Sequence, residues 1–488
     1  MKEKEYPEVG GRPAKIALVL LVIVYIFNFV DRQILSVLAE DIKADLNISD
    51  SDLGFLFGTA FAVFYSIFGI PLGKLADVWS RKNILSIGLA TWSIMTALSG
   101  TAKSFTSLSI FRVGVGIGES SASPASYSLL SDYFSPKIRT TILAIYSSGV
   151  YLGAGIGLFL GGWIVELWTS AYPISIDAPF GLKAWQAAFI IVGLPGVILA
   201  FFTWNIKEPK RGGSEGIESQ IEPHPFKVMF KEFIGISPLG LINSDQPMKL
   251  LSINILIGII ISLICFGLYR ITGDTVQWVA FGIGIYFLTC WIQGLKSRDP
   301  VTFEMIFKTK SFLLIVIGFP FISFITYSMA AFGPSFYMRN YGITEAEVAT
   351  ILGLITAFSG SIGVIGGGII ADKLRKKYTN GRLYVGLAVV VFGVPAALAF
   401  LYADNLYASY VYYSIFQLIT PMWVGIAPAT VSDLVLPRMR GLARAFYLIM
   451  VSMIGLALGP YTLGRISDLF ESQGYAAGEA MQTSMGLI

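Results

Sequence analysis

The sequence predicts an all-α polytopic membrane protein with two pseudo-symmetric six-helix halves and two further helices between them. Three observations predict it. Apolar runs of about 20 residues, long enough to cross a bilayer as helices, recur along the 488-residue chain. Hydrophobic residues make up 55% of the chain and charged residues only 14%; soluble domains carry roughly 25% charged residues. Mean hydropathy is +0.69. Finally, short basic loops repeat between the halves at a nearly fixed offset.

Spans are expected near 14–38, 52–76, 83–102, 105–131, 140–168 and 184–205, which make an N-terminal six-helix bundle over 14–205. The first is too long for the apolar core of a cleavable signal. A polar linker follows at 206–248. Its segment 225–242 is amphipathic enough to lie on a membrane surface, and a plain linker explains it equally well. Two spans near 249–269 and 275–295 form an inserted hairpin. The C-terminal bundle, 311–488, has spans near 311–338, 346–371, 382–403, 407–433 and 441–470. That makes thirteen. The last residues, MQTSMGLI, read as the opening of a fourteenth helix that the chain does not finish.

Charge placement orients these spans. With a cytoplasmic amino terminus, 27 Lys and Arg fall in cytoplasmic segments and five in outer ones: Lys43, Lys103, Lys183, Arg270 and Arg339. Arg32, Arg112 and Arg465 fall within spans. Removing either inserted span would break the alternation downstream.

The repeat is visible in the loops. GKLADVWSRK at 73–82 returns as GIIADKLRKK at 368–377, and SDYFSPKIR at 131–139 as SDLVLPRMR at 432–440. Gly149 and Gly153 pair with Gly455 and Gly459. Parallel repeats of this kind are a mark of secondary transporters. The inserted hairpin has no counterpart.

These residues resemble the major facilitator superfamily. The first repeat matches its G-x-x-x-D-x-x-x-R-K loop through Gly73, Asp77, Arg81 and Lys82; the arginine usual after the aspartate is replaced by Val78. The resemblance implies the major facilitator fold. Within it, NFVDRQILSVL (28–38), RVGVGIGESSASPASYSLLSDYF (112–134) and YLGAGIGLFLGGWI (151–164) resemble the Spinster family of lysolipid and sphingolipid transporters. The inserted pair resembles that of proton-dependent oligopeptide transporters, but the first span lacks that family's E-x-x-E-R motif.

The chemistry is expected where charges sit inside spans. Such charges cost on the order of 2.5–3.5 kcal/mol each on insertion scales and mark functional sites by default. Asp31 in span one and Arg112 in span four each lie about seven residues from the outer end. At about 1.5 Å per residue, both are roughly 10 Å deep and able to pair. Glu119 lies two turns deeper on the face of Arg112, and Asn28 one turn below Asp31. A proton-coupled carrier needs a carboxylate whose protonation a movable cation controls. Asp31 beside Arg112 would be ionised. With Arg112 drawn toward an anionic substrate, Asp31 would take a proton. Glu119 is the second candidate proton site. Arg112 is the candidate anion ligand, because guanidinium binds phosphate or carboxylate bidentately. Arg32 faces either the headgroups or the cavity. Tyr413 stands where the second half would repeat Arg112, so the coupling chemistry is one-sided. Tyr327, Tyr413 and Gln417 are cavity polar candidates, with helix packing as their alternative.

The resemblance implies a cytoplasmic gate of ion pairs between the halves in the outward-open state. Its residues are Gly73, Asp77, Arg81, Asp132 and Arg139, repeated by Asp372, Lys376, Asp433 and Arg440. Glycines 149, 153, 155 and 157 would let span five pack closely or bend.

The expected function is proton-coupled transport of an amphipathic anion by alternating access. The lipid part, a lysophospholipid or sphingoid phosphate, comes from the Spinster resemblance; the residues alone give anion and proton. The alternative is a carrier of small organic anions such as sugar acids. An enzyme or receptor is disfavoured: one histidine, His224, lies in a polar loop and two cysteines, Cys265 and Cys290, lie in apolar runs. That leaves no metal, cofactor or nucleic-acid site. The expected setting is the inner (plasma) membrane, as a monomer in contact with lipid.

Overall fold

The computed structural model describes residues 8–215, 222–242, 247–436 and 439–488. Lys2, Lys4 and Arg438, counted above among the basic loop residues, lie outside the described residues, as do 216–221 and 243–246 of the linker. All described regular structure is helical. In the first half, α1 (Arg12–Val37) leads through short α2 (Ala39–Leu46) to α3 (Asp50–Phe57) and α4 (Thr59–Val78). Then come α5 (Arg81–Ser99), α6 (Phe105–Glu119), α7 (Ala122–Tyr133), α8 (Arg139–Ala171) and α9 (Ala184–Trp204). The linker carries α10 (Pro225–Gly235), and the insertion is α11 (Pro247–Thr272) and α12 (Thr275–Arg298). Short α13 (Pro300–Phe307) leads into α14 (Lys310–Tyr341), α15 (Glu345–Ile355), α16 (Ser361–Lys377) and α17 (Gly381–Leu401). The chain continues with α18 (Leu406–Ile419), α19 (Ile426–Asp433), α20 (Arg440–Met450), α21 (Gly459–Ser472) and α22 (Ala477–Leu487).

Eleven helical runs among the described residues are long and apolar enough to cross a membrane. Two expected spans are missing from that set for physical reasons. α5 buries Ser86, Ser93, Thr96 and Ser99 between α6 and α9, so its apolar character is low. The fourth span is broken at Ser120–Ser121 into α6 and α7, each too short alone. The repeat copies the break: Thr420–Trp423 is a tight 3₁₀ turn between α18 and α19, where Pro421 removes a backbone donor.

Small residues set how closely the helices approach. Gly153 packs on α1, where a Cβ would stand 2.5 Å from the Ile26 carbonyl oxygen. Gly155, on another side of α8, meets the second half: a Cβ there would stand 2.3 Å from the Gly353 carbonyl oxygen. The glycines expected to permit close packing thus serve two different contacts.

The halves meet along two seams. One joins α8 to α15 and the π-helical turn Thr356–Gly360. The other joins α3 and α4 to α21 and the π-helical segment Val451–Leu458. The ion pairs that link the halves cluster at the end opposite the basic loops. Arg339 of α14 holds both oxygens of Asp50 at 2.7 Å and reaches Glu40 at 2.9 Å. Lys43 lies 2.7 Å from Asp50 and 3.7 Å from Glu471. Asp468 of α21 accepts from the backbone N–H groups of Asp50 and Ser51 at 2.9 and 2.8 Å, a carboxylate at the positive end of α3.

At the basic face, no described ion pair of the expected gate residues joins the two halves. Arg81, which is buried, pairs with Asp132 and with Glu208, the latter at 3.0 Å. Arg139 pairs with Glu215 at 2.5 Å. Arg375 and Arg382 hold Asp433, and Arg382 lies 3.5 Å from Asp372. Arg440 donates to the Ser432 carbonyl at 3.2 Å. Gly73 backs onto Pro124. Asp77 and Lys376 have no described ion pair. Arg211 donates to the carbonyls of Ala76 and Trp79 at 2.8 and 2.9 Å. Burial beside Arg81 lowers its readiness to hold a proton, Asp77 and Glu208 opposing this. α10 packs on α4 through Phe233–Phe68 and Phe226–Trp79 ring contacts and leaves Phe226 and Phe230 exposed.

Candidate transport site

Between the halves lies a cavity lined by Phe29, Arg32, Gln33, Phe57, Phe61 and Arg112 from the first half and Tyr327, Ala330, Ala331, Leu456 and Pro460 from the second. Its wall is mostly apolar, with two guanidinium groups on one side. Gln33 crosses the cavity to the Ala330 carbonyl at 3.0 Å. Helix order explains the one-sidedness. α1 and α6 bring their charged residues to one wall, whereas the matching helix of the second half, α18, contributes no residue to the lining.

The pairing differs from the expected one. Arg112 is 1% exposed, yet its guanidinium does not hold the Asp31 carboxylate. It donates to two main-chain carbonyls, Asp31 O and Leu56 O, each at 3.3 Å. The Asp31 side chain is turned toward Trp92 and Thr96 of α5, whose indole N–H and hydroxyl are the donors nearest to its carboxylate. Arg112 reaches the main chain of Asp31, but depth along the helices could not give the rotation of α1.

Glu119, and not Asp31, is the carboxylate that has a cation. Arg32 Nε donates to Glu119 Oε2 at 2.6 Å, and the glutamate side chain is fully buried. Arg32 therefore faces the cavity and not the headgroups. Its guanidinium carbon lies 4.3 Å from the ring centre of Phe61 and 5.0 Å from that of Phe29, inside cation–π range. The long arginine side chain bridges the depth between the two residues. Asn28 stands beside Glu119; its amide nitrogen and Glu119 Oε1 both lack a hydrogen-bond partner.

Of the second-half candidates, Tyr327 lines the cavity. Tyr413 and Gln417 do not. They bond each other at 3.2 Å, Gln417 also donates to Thr356 at 3.0 Å, and Tyr413 is packed among Phe400, Phe416 and Tyr337. Sequence reasoning missed Gln33, which reads as one polar residue among many, and the aromatic cage around Arg32. Three aromatic residues at one-turn spacing, Phe57, Phe61 and Tyr65, were the available signal. It missed the Asp50–Arg339 latch too, since its partners are 289 residues apart.

Loss of one member of a buried pair strands the other charge, at a cost of about 3–5 kcal/mol. Glu119→Ala is therefore expected to lower the melting temperature in detergent more than the double variant Arg32→Ala/Glu119→Ala does. A loss in the double variant equal to the sum of the losses in Glu119→Ala and Arg32→Ala would show that the pair is not coupled.

The family profile described as Major Facilitator Superfamily matches residues 21–460. The chain is 27% identical over 470 residues to an MFS-type efflux pump of Mycolicibacterium smegmatis, covering 94% of this chain and 86% of that one. It is 24% identical over 467 residues to Protein spinster of Drosophila melanogaster, covering 94% of this chain and 62% of that one. Among solved structures it resembles a bacterial homologue of the human lysosomal transporter Spinster in an inward-facing, unoccupied conformation. The TM-score is 0.72 at 23% identity, with 98% and 94% of the two chains covered. The xylose transporter XylE from E. coli, inward open, aligns with a TM-score of 0.57 at 12% identity, covering 97% and 94%. The all-helical fold and the profile match agree: the chain belongs to the major facilitator superfamily and is a multi-pass membrane transporter, similar to the Spinster proteins and not an enzyme.

Proposed function

We propose that this transporter couples the movement of protons to that of an amphipathic anion, of the lysophospholipid or sphingoid-phosphate kind, by alternating access. One observation carries the reading. Two guanidinium groups, Arg32 and Arg112, stand on one wall of a cavity whose other lining is mainly Phe, Ala, Leu and Pro. An anionic headgroup would bind the arginine wall, and an acyl or sphingoid chain the apolar one. A small hydrophilic anion such as a sugar acid would leave that apolar wall unused.

The coupling follows from the contacts of Arg112. Its two bonds to carbonyls are neutral-acceptor bonds, weaker than bonds to an anion. A substrate phosphate would therefore draw it further into the cavity, and Asp31 would hold its proton. After release of the substrate Arg112 would return to the Asp31 and Leu56 carbonyls, and its charge beside Asp31 would favour loss of the proton. Glu119, held by Arg32, is the second proton site. The amino terminus is cytoplasmic, in keeping with the 27 to five distribution of basic residues. The latch at Asp50–Arg339 then lies outside, and the open side is the cytoplasm. In the outward-open state Asp77, Arg81, Asp132 and Arg139 would exchange partners with Asp372, Lys376, Asp433 and Arg440. The working unit is a monomer in the inner (plasma) membrane.

The test is uptake into proteoliposomes under an imposed pH gradient, with lysophospholipids offered against hexuronates. Gradient-driven uptake of the lysophospholipid is expected. Uptake of the hexuronate alone would reject the amphipathic substrate, and gradient-independent uptake would reject the coupling.

A further inference from the structure

The inserted hairpin has no place in the transport site, yet its second helix covers a seam between the halves. α12 packs against α4 of the first half and against Val451–Leu458 of the second. At Gly284 the three elements meet. A Cβ there would lie 3.1 and 3.3 Å from the two methyl carbons of Val63 and 3.3 Å from Met453 Sδ. Directly behind this junction is the cavity, where Phe57 and Phe61 face Leu456 and Pro460.

The two sides of this contact are built differently. Toward the second half it is specific. Tyr461 donates its hydroxyl hydrogen to Asp274 at 2.6 Å, just before α12. The rings of Trp278 and Tyr461 meet edge to face at 5.4 Å, and Trp291 stacks on Phe446 at 6.0 Å. The chain then runs through α13 straight into α14, and Phe307 of α13 lies 5.0 Å from Phe446. Toward the first half it is smooth. Among the described residues, no hydrogen bond or ion pair joins α12 to α4. The nearest polar link is Arg298 to Glu232 of α10, at 3.5 Å, a partly exposed pair of the kind that contributes little. α11 lies outside α12 and buries almost nothing against the bundle. Among the described residues, no inserted helix covers the opposite seam, α8 against α15.

We infer that α12 is a lateral shutter. It is fastened to the C-terminal half, slides on α4 when the halves rock, and keeps the α4 seam closed to lipid. The apolar tail of a substrate must then reach the cavity by the α8 seam. The inference rests on alternating access as proposed above but not on the identity of the substrate.

Two disulfides separate the possibilities. Gly284→Cys with Val63→Cys, in a Cys265→Ala/Cys290→Ala background, ties α12 to α4. Gly282→Cys with native Cys265 ties α12 to α11, where the Cβ atoms would be 3.9 Å apart, within the usual disulfide range of about 3.5–4.5 Å. Both are combined with Gln33→Cys as a reporter in the cavity, and a membrane-impermeant maleimide is added outside spheroplasts. Oxidation of the 284–63 pair is expected to lower reporter labelling at least about tenfold, because the outward-open population is lost. Reduction should restore it, which shows that the variant folds. Oxidation of the 282–265 pair should leave labelling within about twofold. Unchanged labelling with 284 and 63 joined would overturn the shutter, as would equal blockade by both disulfides. The expected pattern supports it even if lysophospholipid uptake is absent, an outcome that would defeat only the substrate reading.

Discussion

Asp31→Asn proteoliposomes are expected to lose uptake driven by a pH gradient down to the level of empty vesicles, while exchange of substrate across the membrane persists. The substitution keeps the size and shape of the side chain but cannot bind or release a proton. Asp31 is 1% exposed and touches no cavity space. The substitution therefore leaves the cavity wall and the Arg112 contacts to the main-chain carbonyls of residues 31 and 56 in place. Exchange needs only binding and rocking, so it survives; accumulation needs the proton. The measurement is paired: accumulation under an imposed gradient, and counterflow with substrate on both sides at one pH. Persistent accumulation would move the coupling to Glu119. Loss of both activities would mean that Asp31 shapes the fold rather than the coupling.

Much of this arrangement was legible in the sequence because it rests on local or periodic signals. Long apolar runs, alternating basic loops and the recurrence of Asp77 and Asp132 as Asp372 and Asp433 read directly as a repeat of membrane bundles. Depth along a helix is also a sequence quantity, so Asp31 and Arg112 were placed at one level. Rotation is not. Asp31 and Arg32 are adjacent and differ by about 100° around α1; that angle sends one carboxylate to α5 and one guanidinium to Glu119. The helix breaks at Ser120–Ser121 and Thr420–Trp423 were hidden because each half-helix continues the apolar pattern of the other. Contacts between the halves were least visible. Asp50 opens a helix, and Arg339 is a basic residue near the end of one. Nothing local marks either as the partner of the other.

Arg339→Ala is expected to open the closed end of the transporter. In the described state its guanidinium makes a two-point contact with Asp50 at 2.7 Å and also reaches Glu40. The Asp50 side chain is fully buried and that of Arg339 is 7% exposed. Removing the arginine leaves Asp50 with Lys43 and the Ser467 hydroxyl, at 2.7 and 2.8 Å, and without its strongest partner. Breaking such a pair costs about 3–5 kcal/mol. The cost falls on this state alone, because parting the halves would return Asp50 to water. The equilibrium should therefore shift toward the open end by a factor on the order of a hundred or more. Maleimide labelling of Gln33→Cys from outside reads this shift directly and should rise, while transport slows because closure has become the difficult step. Asp50→Ala/Arg339→Ala strands neither charge and should shift the equilibrium less than Arg339→Ala alone. If the single variant left labelling unchanged, the network would be surface decoration, and closure would rest on the glycine contacts of α8 with α15.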